Sequence, residues 1–146
     1  MKISRKGEYA LRAMIFLSLN YRKGPVHIQE ISQKEKITKK FLEQILLELR
    51  KAGLLQSQRG AGGGYYLIKP PEKVTMAQVI RTVDGPLAPV SCVSRWAHVT
   101  CPYEKTCGLK SVMQEVRDSI AAILEGITFA EICRRTKGSR QGGGKD

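Results

Sequence analysis

The chain has 146 residues, 42% of them hydrophobic, enough for one small domain or one domain with an appended helix used for pairing. It carries 25 Lys and Arg against 13 Asp and Glu, a net charge of +12, with thirteen basic and five acidic residues in 1–60 and twelve and eight in 61–146. A basic N-terminal part favours a polyanionic partner, because phosphate neutralisation releases condensed counterions. No run of about 18 apolar residues exists to span a membrane. The apolar stretch after the basic Met1–Lys6 is broken by Arg12, unlike a secretion signal. The expected location is therefore cytoplasmic, where thiols stay reduced and clustered cysteines more often bind metal or react than pair.

Arg5 to Tyr21 reads as a helix with Ala10, Ala13, Met14 and Leu17 on one apolar stripe, ended by Lys23-Gly24-Pro25. Ile28 to Lys34 is a second, short helix. After the turn Glu35-Lys36-Ile37, Thr38 is placed to cap a third helix from Lys39 to Ala52, whose buried face is Leu42, Ile45, Leu46 and Leu49. Gly53 stands where a helix ends in the left-handed conformation. Leu54 to Ser57 and Tyr65 to Ile68 flank a glycine-rich tip, Arg59 to Gly64, and predict a two-stranded hairpin. A helix-turn-helix followed by a hairpin is a winged helix, and the predicted fold class is mostly α.

Pro70-Pro71 closes the hairpin region. Thr75-Met-Ala-Gln78 is a capping-box pattern opening a helix through Asp84, with Gly85-Pro86 ending it. Pro86 to Lys105 is a long irregular segment, and loops of such length usually have a task. Leu109 to Leu124 is a longer helix with Leu109, Val112, Val116, Ile120, Ile123 and Leu124 at intervals suited to a pairing face. Thr128 with Glu131 caps a last helix, and Ile127 with Ile132 fits a hydrophobic staple. The expected organisation is a DNA-binding winged helix over 1–71, a helix, cysteine loop and dimerisation helices over 72–137, and a disordered tail over 138–146.

The third helix offers Thr38, Lys39, Lys40, Phe41, Glu43 and Gln44 to a major groove. Gln44 suits adenine, Lys39 and Lys40 suit phosphate or guanine, and Glu43 acts as a sequence filter by accepting from cytosine. Arg59, beside Gly60, suits a narrow minor groove. The glycine run lacks the Lys-Ser/Thr of a phosphate-cradling loop, so a nucleotide site is not indicated. With two histidines, and neither beside a cysteine in a nucleophile arrangement, the pattern gives no enzyme and no small-molecule substrate. Its basic residues lie on capped, core-forming helices, which excludes a membrane-surface stripe.

Cys92, Cys101 and Cys107 are separated by eight and five residues, and Cys133 falls within the last helix as a small buried residue. Three thiolates are one short of the four ligands that an iron–sulfur cluster or a structural zinc requires, and spacing alone does not choose between them. His98 and Glu104 are the local candidates for the fourth position. Trp96 either shields such a site or fills a gap between copies.

The ordered segments M-K-I-S-R-K-G-E-Y-A-L-R-A-M at 1–14, F-L-E-Q-I-L at 41–46, L-R-K-A-G-L at 49–54, R-G-A-G-G-G-Y at 59–65 and V-D-G-P-L-A-P-V at 83–90 resemble the small winged-helix bacterial repressors typified by IscR, NsrR and CymR. The resemblance implies a homodimer on double-stranded promoter DNA, with the third helix in the major groove and the wing in the minor groove. Its DNA-contacting positions carry over to Thr38, Lys40, Phe41, Glu43, Gln44 and Arg59. CymR-like members lack the cysteine triplet. IscR-like and NsrR-like members hold an iron–sulfur cluster with three cysteines, matched here by Cys92, Cys101 and Cys107. The resemblance thus implies a regulator of cluster-biogenesis genes that senses cluster status, or alternatively a nitric-oxide-sensing repressor. It favours a 2Fe-2S over a 4Fe-4S cluster. Two departures stand out: the first gap is eight residues instead of five, and Lys110 occupies the position of a histidine ligand. Glu8 is the first candidate for the fourth ligand, because some NsrR-like relatives place an acidic ligand there from the partner subunit.

Overall fold

The computed structural model describes residues 2–142 and contains six α-helices and one antiparallel hairpin. Helix α1 (Arg5–Leu19) starts at Ser4, whose Oγ accepts from the Gly7 N–H at 2.9 Å. It stops two residues before the predicted end. The Asn20 side-chain amide donates to the Phe16 carbonyl at 2.9 Å and satisfies a terminal acceptor there. Helices α2 (Ile28–Glu35) and α3 (Lys39–Lys51) are joined through Lys36, which takes the left-handed conformation at φ 54°. Thr38 holds the N-cap position of α3 but makes no side-chain cap.

Strands β1 (Leu55–Gln58) and β2 (Gly64–Leu67) pair in the register Leu55↔Leu67, Gln56↔Tyr66, Ser57↔Tyr65 and Gln58↔Gly64. Val26 adds a bridge on the far side of β2, exchanging two backbone bonds with Tyr65 at 2.8 and 2.9 Å. That approach demands glycine at position 64, where φ is +146° and a Cβ would collide with the Val26 carbonyl. The three helices and the hairpin enclose one core of Ala10, Ala13, Met14, Leu17, Ile31, Leu42, Ile45, Leu46, Leu49, Leu55 and Leu67. The arrangement is a winged helix.

Helix α4 (Met76–Asp84) opens with both hydrogen bonds of the Thr75–Gln78 capping box. Its Asp84 accepts from the Ser4 N–H at 2.9 Å and from the Ser4 hydroxyl, which ties the end of α4 to the head of α1. The segment after it contains a 3-10 turn over Ser91–Val93. Helix α5 (Gly108–Gly126) has no buried residue; Ile120 and Leu124 pack on a small second core of Ala77, Ile80 and Leu87.

Helix α6 (Phe129–Gly142) turns back onto the winged helix. Backbone bonds of 2.9 Å from Met76 N–H to the Ile127 carbonyl and from Phe129 N–H to the Val74 carbonyl hook it in place. Phe129 is fully buried in the first core, and Ile132 packs against it. Thr128 Oγ1 accepts from the Glu131 N–H at 3.3 Å, as the capping pattern predicts. The Glu131 carboxylate instead accepts from Arg134 and Arg135. The helix continues through Gly142, into the span 138–146 expected as a tail, of which residues 143–146 lie outside the described ones. One glycine within a helix costs only about 1 kcal/mol, too little to end it at Gly138.

Candidate nucleic-acid interface and thiol loop

The apolar stripe of α3 is consumed by the core, which turns the opposite face outward. Lys39, Lys40, Glu43 and Gln44 are exposed on that face, and Thr38 is exposed at its head. Phe41 differs from its neighbours. It is half-buried, and its ring meets Tyr9 edge-on with centroids 5.6 Å apart, so it braces α3 against α1. Lys6 on α1 pairs with Glu48, and Arg50 donates to the Ser57 hydroxyl at 3.0 Å, linking α3 to the wing. Arg59 and Gly60 are exposed at the tip, where the Gly63 N–H donates to the Gly60 carbonyl at 3.0 Å.

Cys92, Cys101 and Cys107 are free and half-buried, on the 3-10 turn, within the loop and at the N-cap of α5 respectively. Among the described residues no three His, Cys, Asp or Glu side chains converge closely enough to hold a metal ion. The donors fit a cluster in kind, three unpaired thiols on one loop, although this single chain does not bring them together. Other potential ligands are engaged. His98 Nε2 and Lys110 Nζ both meet Glu104 Oε1, at 2.7 and 2.9 Å. Glu8 is exposed and pairs with Arg12 at 3.0 Å. Cys133 is buried in α6, and burial pushes its thiol pKa up.

Hydrogen bonding from Lys110 and then from His98 lowers the pKa of Glu104 to about 2. Its folded value lies below the unfolded one, so this contact contributes stability above the ordinary glutamate range. That contribution fades as pH falls through about 2. Carboxyl-detected NMR titration is expected to place the Glu104 transition well below the ordinary glutamate range, and Lys110→Met should move it upward.

Two arginines dock the loop on α5. Arg117 Nη1 donates to the Val93 carbonyl at 2.8 Å, one residue from Cys92, and Arg95 pairs with Asp118 at 3.0 Å. Arg117 also pairs with Asp118, at 2.9 Å, and lowers the pKa of that carboxyl. Arg81 on α4 pairs with Glu125 further along α5. No local pattern singles out these arginines, since the contacts of Arg117 with Val93, Arg95 with Asp118 and Arg81 with Glu125 all join residues remote in the chain. Trp96 and Tyr103 stand 77% and 72% exposed on this loop, too open to shield anything within one chain.

A winged helix with an exposed α3 face and a basic tip defines a DNA-binding protein of the transcriptional-regulator class. A family model described as "Iron-dependent Transcriptional regulator", the Rrf2 family, matches residues 3–135. The chain belongs to the Rrf2 family. An rrf2-like helix-turn-helix transcriptional regulator of Rhodobacter capsulatus is 38% identical, over 89% of this chain and 91% of the relative. The structure of CymR, the global cysteine regulator of B. subtilis, is similar at TM-score 0.80 and 32% identity, covering 92% of this chain and 98% of that one. The structure of T. potens IscR is similar at TM-score 0.75 and 29% identity, covering 100% and 93%. Among the described residues, no helix is long and apolar enough to cross a membrane.

Proposed function

We propose that this regulator acts in the cytoplasm as a homodimer on promoter DNA, that it senses iron–sulfur status through Cys92, Cys101 and Cys107, and that it controls cluster-biogenesis genes. The observation that carries the reading is the placement of three free thiols on a loop fastened to α5. When bound, the cluster supplies iron–thiolate bonds whose presence depends on iron and sulfide supply. Glu8 of a second copy is the first choice for the fourth ligand, with His98 and Glu104, which meet one another at 2.7 Å, as the alternatives. Arg117 and Arg95 carry the position of the loop to α5. Arg81 with Glu125 carries it on to α4, and Asp84 to the head of α1. The exposed α3 residues Thr38, Lys39, Lys40, Glu43 and Gln44 read the major groove, Arg59 beside Gly60 reaches the minor groove, and Phe41 supports α3 from below.

Anaerobically purified protein is expected to be coloured and to contain iron and sulfide. Cys92→Ala, Cys101→Ala and Cys107→Ala should each abolish the visible absorbance. Colourless protein retaining stoichiometric zinc would overturn the reading. On the DNA side, Arg59→Ala should weaken operator binding by about 1–3 kcal/mol at fixed salt. Unchanged affinity in a gel-shift titration would remove Arg59 from the interface.

A further inference from the structure

A cavity of about 530 Å³ opens between the second half of α1, the end of α2 and the last described side chains of α6. Small-molecule sites usually fall between roughly 300 and 1,000 Å³. Its floor is apolar: Ile15, Phe16 and Leu19 line it and are half-buried. Its rim is cationic, with Lys23, Lys34 and Lys137 contributed by three separate parts of the fold. None of the three lysines has an ion-pair partner among the described residues, whereas Arg12 on the same wall is paired with Glu8. Among the described residues, Glu35 is the one acidic residue lining the cavity.

Helix-end electrostatics account for Lys34 alone, which sits in the last turn of α2. At the end of α1 the Phe16 and Leu17 carbonyls are already engaged by Asn20, and Lys137 comes from a different helix. No residue of α3 or of the hairpin lines the cavity, so it is separate from the DNA-facing surface. An apolar floor with a rim of unpaired ammonium groups matches an amphipathic anion. The hydrocarbon part gains about 25 cal/mol per Å² removed from water, and the charged end is held by more than one lysine.

We propose that this cavity binds a small organic acid, a carboxylate carried on a short hydrocarbon body. Calorimetric titration of the full chain with octanoate, well below its micelle-forming concentration, tests this against octylammonium and inorganic phosphate. Octanoate is expected to bind one site per chain, octylammonium not to bind, and phosphate to bind more weakly. Lys34→Gln with Lys137→Gln should weaken octanoate about tenfold while circular dichroism stays unchanged. Absence of saturable octanoate binding overturns the proposal, and so does binding that the double variant leaves intact. Equal binding of octylammonium would mean apolar contact only, and equal binding of phosphate would mean a basic patch only; either result overturns it as well.

Discussion

Phe129→Ala is expected to destabilise the protein by about 3–5 kcal/mol, a large share of the roughly 5–15 kcal/mol that holds a domain folded. The ring is fully buried in the core of the winged helix, although it is the first residue of α6. It is held by the backbone bridge to Val74 and the Thr128 cap, so neighbours cannot easily collapse into the space left behind. Loss therefore combines transfer free energy with a cavity. Urea unfolding reads the effect as a lower midpoint at unchanged slope. Phe129→Leu, which keeps an apolar side chain in the space, should cost less. A change below about 1 kcal/mol for the alanine variant would mean that α6 is not docked as described.

On the proposed homodimer, Val112→Asp combined with Val116→Asp is expected to leave a monomer and to weaken operator binding by roughly 100-fold or more. Leu109, Val112, Val116 and Ile123 are 68%, 50%, 38% and 64% exposed along one helix, while Ile120 and Leu124 face α4. An apolar row at these intervals on a surface helix suits the proposed pairing with a second helix. Burying a valine is worth about 1.5–3 kcal/mol, counted in both copies, and a carboxylate there must be dehydrated instead. Neither valine packs on a core of its own chain, so helicity should persist. Sedimentation equilibrium measures the mass directly. Equal masses for wild type and variant would refute this use of α5.

Much of the DNA-facing half was legible because its signals are local. The α3 stripe, the left-handed Gly53 at φ +80° and the Thr75–Gln78 capping box depend on residues within one or two turns. Phe41 lies in the first turn of α3, and only the fold shows the ring of Tyr9 set edge-on against it. The expected organisation treats residues 72–137 as a separate region. In the fold, Phe129 completes the first core, across a separation that no periodicity reports. The thiol loop was visible as a spacing, but not the contact of Glu104 with His98 and Lys110.

By itself the sequence determined the helices, the hairpin, the basic surplus and the three thiols, since helix periodicity, caps and glycine backbone freedom act over a few residues. Only the tertiary structure decided that α6 closes the core, that arginines fasten the thiol loop to α5, and that unpaired lysines ring an apolar hollow. Those outcomes depend on which surfaces meet after the chain has turned back on itself. Burial and ion pairing between residues remote in sequence settle that, and neither is written in local order.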